Sequence, residues 1–586
     1  MNKISNTEIK KLEDLYKLNK LTELEEETKN LLRVENNNII LLNILGVVYL
    51  KKKFFKEAES IFKNILSQNS KDKNALKNLG ETYRKTNKYN NAIKCYELYL
   101  TINPNDNEVI NNLASCYLKN KKYEEAVNYY RDLIKKSPND QEYLTNLGSA
   151  LIESLNFKEG MQILEQLLDK NINNRRALST YLFNQNYNPK INLDKINNYI
   201  SKFNQSSKKD NLNIINFCYK KNPEKINVGF VSPDFRSHPV GYAMTNTIEH
   251  LKSYNFNLFG YYNFYLNDDL TDKFKKDFNY FHNITHLNDE QTINKIRSDG
   301  IHILIDLAGY TFNNRLSIFS HYPAPIQISM LGYLATTGIK EIKYKIGDPY
   351  IYPENIDKNF SEKILRLPNI WSDFVVKNNI EISKSPFNEI NNQFIFGCFV
   401  TLRKINDDVI KLWSKVLKKF SNTKIYFKAP ELNNISIEKE LKNKFLNFGI
   451  KSDRLIFEKS SDYKTYIESY LKVHISLDPF PWNGVTTSFE SIWMGVPVFC
   501  LKGSDLPYSR CSYSINKNLG MDDWIAEDEN DYLSKLDKIL SNKNKLLETK
   551  KNLRENAIKN NLFNSNKFAE NLANILNETW KDFTAR

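Results

Sequence analysis

The sequence repeats itself every 34 residues across its first third, and that period leaves few folds open. Gly46, Gly80, Ala114 and Gly148 share one phase, preceded by Leu45, Leu79, Leu113 and Leu147. Tyr49, Tyr83 and Tyr117 follow, and Ala58, Ala92 and Ala126 hold a second small-residue phase with Phe62, Tyr96 and Tyr130 one turn later. Small residues at fixed spacing let paired helices approach closely while aromatics fill the gaps, so the pattern predicts stacked helix hairpins sharing one core. Pro104 and Pro138 close two of the units. Residues 7 to 34 read as a degenerate first pair with Leu12, Leu15 and Leu24 in apolar phase, and beyond Gly148 the pattern is expected to fade through Leu151, Gly160 and Leu164.

The pattern resembles tetratricopeptide repeats, an α-solenoid whose concave groove is expected to take an extended peptide or a partner protein. The other role open to it is to cap and steady the domain that follows. The array is placed at residues 1–172, and an Asn- and Lys-rich helical linker at 173–224, with Pro223 marking its end.

At 586 residues the chain is too long for a single core. A net charge of +14 invites a nucleic-acid reading, but the lysines are scattered over solvated helix faces rather than clustered with aromatics, so no nucleic-acid partner is expected. The cysteines at 95, 116, 218, 398, 500 and 511 form no paired CxxC, and the seven histidines show no HExxH spacing, which argues against a zinc site or a disulfide framework. With neither a signal-peptide pattern nor a long apolar run, no membrane partner is expected and the default location is the cytoplasm.

The chemistry is concentrated at Leu477 to Pro497, LDPFPWNGVTTSFESIWMGVP. An apolar run through Leu477 reads as a buried strand that stops at Asp478-Pro479. A turn through Trp482, Asn483, Gly484 and Val485 leads to Thr486-Thr487-Ser488 at a helix start, and the helix ends near Gly495 before a new strand from Val498. Unpaired amides and the positive end of the helix dipole suit a phosphate there, Thr486 and Thr487 add hydroxyls, and Glu490 one turn in is placed to accept from a ribose diol. The plainer reading is a capped helix in an α/β domain.

This stretch resembles the nucleotide-sugar motif of the O-GlcNAc transferase and SPINDLY family, in the form carried by SPINDLY-like and bacterial members. Other blocks agree. Ser232 to Pro239, SPDFRSHP, resembles the family motif that carries an active-site histidine, here His238. Asn314 to Gly338 resembles the block whose Leu331, Gly332 and Tyr333 fall beside the donor sugar, although Tyr322 stands where the family has Arg and Leu334-Ala335 where it has Pro-Gly. Phe360 to Lys363 resembles the family's YSEK, and Ser509, Arg510 and Gly520 fall in a further shared block. In TLRKIND, Lys404 matches the lysine on the donor phosphates, and Thr401 stands where relatives carry Gln or Asn. Tyr463 and Tyr466 replace the Lys and His that surround the base, and Tyr466 is placed to stack on it.

The resemblance implies a GT-B glycosyltransferase: two Rossmann-like α/β lobes, placed at 225–385 and 386–586, with the terminal helix near 563–582 lying across both. The implied reaction is inverting transfer of a sugar from a nucleoside diphosphate to Ser or Thr of a protein. Lys404, Thr486, Thr487 and the helix dipole meet the leaving diphosphate, with Gly484 in the loop beneath it, so neither a metal nor a resident cofactor is called for. His238 positions or deprotonates the acceptor. UDP-GlcNAc is the expected donor, because no carboxylate is evident for the N1 and N2 donors of guanine. GDP-fucose on proteins is the alternative donor, and a catalytically degenerate repeat scaffold is the alternative from another class.

Overall fold

A computed structural model describes residues 5–207, 221–375 and 393–585. Cys218 and the expected lobe boundary at 385/386 lie outside the described residues. The chain forms two compact units, 1–163 and 164–586. The division falls inside a helix, before the expected end of the array at 172.

The first unit is built from helix pairs: α1 (Asn6–Lys17) with α2 (Leu21–Val34), α3 (Ile39–Lys51) with α4 (Phe55–Gln68), α5 (Lys73–Lys85) with α6 (Tyr89–Ile102), and α7 (Asn107–Lys119) with α8 (Tyr123–Lys136). Then come α9 (Gln141–Glu153) and α10 (Phe157–Lys170), which crosses into the second unit. The small-residue phase has the expected cause. A Cβ on Gly46 would lie 2.5 Å from the Phe62 ring, and one on Gly80 equally close to Tyr96. The expected fading after Gly148 is corrected: α9 and α10 keep the full pair length and register, and a Cβ on Gly160 would meet the Gly148 carbonyl at 2.6 Å.

A further phase is carried by N-caps. Asn38, Asp72, Asp106 and Asp140 each accept backbone amides at the start of the first helix of a pair, supplying acceptors to otherwise orphaned donors. Asn174, in the same phase, caps α11 (Arg175–Gln185). The repeat period therefore runs one helix into the segment read as a linker.

In the second unit α11 and α12 (Leu193–Ser207) precede two parallel sheets. The first comprises β1 (Ile226–Ser232), β2 (Phe256–Tyr262), β3 (Tyr280–Asn283), β4 (Ile303–Asp306), β5 (Ile326–Ser329), β6 (Tyr344–Gly347) and β7 (Lys363–Arg366), in the order β3-β2-β1-β4-β5-β6-β7. The second comprises β8 (Phe394–Cys398), β9 (Thr423–Lys428), β10 (Leu455–Glu458), β11 (Ile475–Leu477), β12 (Val498–Leu501) and β13 (Ile525–Ala526), in the order β10-β9-β8-β11-β12-β13. Both sheets are doubly wound, as the apolar strand runs separated by helices require. Strand order reverses between β1 and β4 and between β8 and β11, and the crevice beyond the carboxyl ends at such a point is where open α/β sheets bind ligands.

Hydrogen bonds tie the lobes together: Arg510 Nε donates to the Tyr350 carbonyl at 2.7 Å, and Ser514 Oγ to buried Asp348 at 2.5 Å. The terminal helix Ser565–Thr584 packs on α13 (Pro239–Leu251) of the first lobe, where Phe568, Leu572 and Leu576 share a core with Met244, Ile248 and Leu251. The expected 386–586 lobe thus gives its last helix to its neighbour. Among the described residues no helix is long and apolar enough to cross a membrane.

At the β9–β10 edge, Glu458 accepts from Lys428 Nζ at 2.5 Å, Lys472 Nζ at 2.6 Å and the Tyr426 hydroxyl at 2.5 Å. Burial alone would raise its pKa, but these bonds prevail and hold it at about 2, below the ordinary 4.5. A depressed carboxylate stabilises the fold above its unfolded pKa and loses that contribution as pH falls through the folded one. Glu458→Gln is expected to cost about 1–3 kcal/mol at pH 7, since it leaves the buried Lys428 ammonium short of a partner. In urea melts the gap to the parent should narrow as pH drops below 4.5; a gap that stays constant down to pH ~3 contradicts this account.

Candidate functional site

The second-lobe half is built at the β8/β11 reversal. Beyond β8 the chain makes a 3-10 turn, Leu402–Lys404, and Lys404 Nζ donates to the Asn483 carbonyl at 2.5 Å and lies 5.0 Å from the centre of the Trp482 ring. Beyond β11, buried Asp478 accepts the Gly484 amide at 2.6 Å. Gly484 has no room for a side chain, because a Cβ would lie 2.4 Å from Ser488 Oγ and 2.8 Å from Thr487 Oγ1. The helix Thr486–Trp493 follows, with Val485 at its N-cap and no side-chain cap. The Ser488 and Phe489 amides return to the Val485 carbonyl, while among the described residues the amides of Thr486 and Thr487 find no protein acceptor. Burial lowers the pKa of Lys404 against the pull of Asp478, and burial raises that of Asp478. A cation from the turn beyond β8 therefore reaches the loop beyond β11 that leads into an uncapped helix start, an arrangement whose chemistry suits an anion.

The pieces expected around ribose and base are arranged differently. Glu490 is 4% exposed, and its Oε2 accepts the hydroxyls of Tyr466 at 2.9 Å and Tyr470 at 3.2 Å. The expected ribose acceptor is thus held by two phenols. Tyr466 meets Phe399 edge-on at 6.3 Å and Tyr463 lies 6.2 Å from it, while Tyr470 stacks on Phe399 at 3.8 Å. Thr401 Oγ1 donates to Glu431 Oε1 at 2.5 Å. Glu431 stands on the turn Pro430–Asn433 just beyond β9, is 4% exposed, and among the described residues its Oε2 has no hydrogen-bond partner. The sequence reading missed this carboxylate; its signal was an acidic residue directly after a strand-ending Ala-Pro.

The first-lobe half lies at the β1/β4 reversal. His238 is the N-cap of α13, and its Nδ1 sits 3.3 Å from the Val240 amide and 3.4 Å from Asp234 Oδ2. Asp234, which the sequence reading treated only as a strand end, is buried and also accepts from Arg236 at 3.0 Å. Burial raises its carboxyl to about 6, while burial and then the Arg236 charge push the His238 imidazole down to about 3. The histidine is therefore neutral at physiological pH. Its Nδ1 faces a donor on one side and, once Asp234 is ionised, an acceptor on the other.

Leu331, Gly332 and Tyr333 form the loop beyond β5. Leu331 adopts φ +63°, and a Cβ on Gly332 would lie 2.3 Å from the Leu307 carbonyl, so this backbone is pressed against the end of β4. Fully buried Lys345 donates from Nζ to the Tyr333 carbonyl at 2.8 Å and fixes the loop from below. The departures from the family pattern settle into local structure: the Tyr322 hydroxyl donates to the Pro325 carbonyl, and the Leu334 carbonyl accepts from Tyr352.

The model of glycosyl transferase family 41 matches residues 190–380 and 371–572, and within the array the model of anaphase-promoting complex, cyclosome, subunit 3 matches 85–167. Among curated proteins, the tomato (Solanum lycopersicum) "Probable UDP-N-acetylglucosamine--peptide N-acetylglucosaminyltransferase SPINDLY" is 28% identical over 62% of this chain and 40% of its own length. The Arabidopsis thaliana protein of the same description, but named SEC, is 26% identical over 61% of this chain and 37% of its own. The matched region thus spans about two fifths of these relatives. A solved structure of a Thermobaculum terrenum O-GlcNAc transferase mutant covers 88% of this chain and 98% of its own, with a TM-score of 0.81 and 23% identity, which is a likeness of fold. With the family model matching well over half its length, the chain belongs to glycosyl transferase family 41.

Proposed function

We propose that this protein transfers a sugar, with inversion, from a nucleoside diphosphate to serine or threonine hydroxyls of proteins, the repeat groove receiving the acceptor polypeptide. One observation carries the reading: at a sheet's switch point Lys404, on the turn beyond β8, bonds the Asn483 carbonyl of the loop beyond β11 that leads into the uncapped helix Thr486–Trp493. As the acceptor oxygen attacks the anomeric carbon, the sugar–phosphate bond breaks and its electron pair leaves on the diphosphate. Lys404, the Thr486 and Thr487 amides and hydroxyls, and the helix dipole meet that charge. No metal ion is called on. His238 takes the acceptor proton at Nε2 when Asp234, ionised, holds the proton on Nδ1.

Lys404→Ala should lower turnover by about 2–4 kcal/mol in transition-state terms and cost the fold less than that, read as nucleotide release beside a melting curve. Near-parental activity removes Lys404 from the site.

The Asp234–His238 arrangement gives a pH dependence with a definite sign. Protonated Asp234 cannot hold the Nδ1 proton, so transfer should rise as pH climbs through about 6. Asp234→Asn should flatten that limb in a rate profile at saturating donor, and an unaltered limb assigns it to another group.

The relatives' descriptions and the family resemblance support UDP-GlcNAc as donor. Glu431 favours a second reading, a GDP-sugar such as GDP-fucose. A carboxylate with one unpartnered oxygen, beyond β9 and bonded to Thr401, matches the paired N1–H and N2–H donors of guanine, whereas uracil offers one such donor flanked by carbonyls. Calorimetric titration separates the two. GDP tighter than UDP by tenfold or more, with the advantage abolished in Glu431→Ala, establishes the guanine reading; equal or tighter UDP binding retains UDP-GlcNAc.

A further inference from the structure

Lys404 is a long, flexible side chain, and holding its ammonium at one point requires restraints. Two come from the loop beyond β11, the Asn483 carbonyl and the Trp482 ring. The loop backbone is pinned where the Asn483 amide reaches the Tyr508 carbonyl and the Asn483 side chain reaches the Pro479 carbonyl. The plane of the indole is fixed from elsewhere. Tyr187, just past the end of α11, stacks on Trp482 with ring centres 4.5 Å apart and planes 29° from parallel, and Phe183 of α11 meets the same indole edge-on at 5.2 Å. The Arg403 guanidinium lies 5.2 Å from the Tyr187 ring, so two consecutive cations of one 3-10 turn each sit on one ring of a stacked Trp–Tyr pair. Each ring offers a negative face to its cation, and each cation is drawn to a fixed place only while its ring keeps its orientation.

The same turn reaches the first lobe. Asn186 is buried, its side chain donates to the Phe183 carbonyl at 2.8 Å, and it lies beside the Tyr333 hydroxyl. Residues 183 to 187 therefore touch both halves of the site, and they come from the helix whose Asn174 cap keeps the register of the array.

We propose that Tyr187 is a positioning residue for the Lys404 ammonium, acting through the Trp482 indole, so that the last helix in repeat register sets the lysine of the catalytic cleft. The proposal rests on the reading of Lys404 as the group that meets the donor diphosphate.

The test uses the full chain carrying Tyr187→Ala, Tyr187→Phe and Tyr187→Leu, with Lys404→Ala and the Ala/Ala double variant. Nucleotide release is followed with UDP-GlcNAc and with GDP-fucose, and in parallel the rate of amine acylation at Lys404 is measured by mass spectrometry against exposed Lys545. Tyr187→Ala is expected to lower kcat about tenfold with a smaller change in KM, and to change the Lys404 acylation rate by about threefold, because the ammonium is displaced rather than removed. Tyr187→Phe keeps the π face and should restore most of both. On the Lys404→Ala background the tyrosine change should add less than about twofold, the signature of residues acting as a unit. Tyr187→Leu fills similar space without a π face and serves where Ala impairs folding; it should behave as Ala does. The proposal is overturned by Leu behaving like Phe, by losses that multiply in the double variant, or by Lys404 acylation that ignores Tyr187. If Lys404→Ala keeps full turnover while acylation still responds to Tyr187, the diphosphate reading has failed and the positioning has not.

Discussion

The start of helix Thr486–Trp493 is the constraint on which the site depends. A helix leaves its first amides unpaired, and here Val485 supplies no side-chain oxygen to take them. The neighbouring choices follow from keeping that start open. Gly484 is present because any Cβ would strike Ser488 Oγ, Thr487 Oγ1 or Asp478 Oδ1, and Asp478 secures the Gly484 amide so that the loop cannot fold back over the helix end. Lys404 then adds a full charge to the partial one. Burial disfavours that ammonium and also disfavours the Asp478 carboxylate beside it, so each makes the other tolerable without cancelling it.

The first lobe meets a different requirement, a rigid backbone where the donor sugar is expected. Its means is a buried polar cluster. Lys345 donates to Ser329 Oγ and the Tyr333 carbonyl, Asp306 accepts the Ala308 and Gly309 amides, and Glu362 accepts the Thr337 amide and hydroxyl. Burial lowers the pKa of Lys345 and raises that of Asp306 to about 6. Groups shifted this way are costly singly, but a satisfied network in a low-dielectric interior holds one geometry and excludes its alternatives. Leu331 can then be kept at positive φ with the Gly332 backbone against β4, a conformation that solvent-exposed loops seldom retain.

The repeat pairs and the strand-loop-helix at Leu477 to Pro497 were legible because each is dictated by local spacing. Gly46 under Phe62 and Gly80 under Tyr96 are close contacts that a 34-residue subtraction exposes directly. Other features depend on what lies across space. Glu490 sits at the expected helical position, but two tyrosines far from it in sequence claim its Oε2, and no pattern around Glu490 announces them. Glu431 becomes conspicuous only when β9 is placed beside β8, which brings Thr401 to it. The terminal helix is expected from the family resemblance to lie across both lobes, and only the fold shows that its apolar face is complementary to α13. Asp234 was legible as a strand end and became a partner for His238 only through the turn that closes between them.

The end of the array shows why one period can outlast its own signature. Two independent features repeat every 34 residues: the cap at 38, 72, 106, 140 and 174, and the small residue at 46, 80, 114 and 148. They answer to different demands. A cap serves the helix it begins and is needed whatever that helix packs against, whereas a glycine inside a helix is tolerated only where a partner presses on it. At the fifth position of the second series the chain places Leu182, buried in the second unit, while Asn174 still caps the helix. The loss of the small residue with retention of the cap marks where a helix in repeat register also takes the α/β lobes as its neighbours. Arg175 to Asp289 and Ser179 to Asn314 tie it to the first lobe, and Phe183 and Tyr187 to Trp482 of the second. Repeat register is thus carried by the backbone chemistry of helix initiation, and the side chains that follow are free to serve the site.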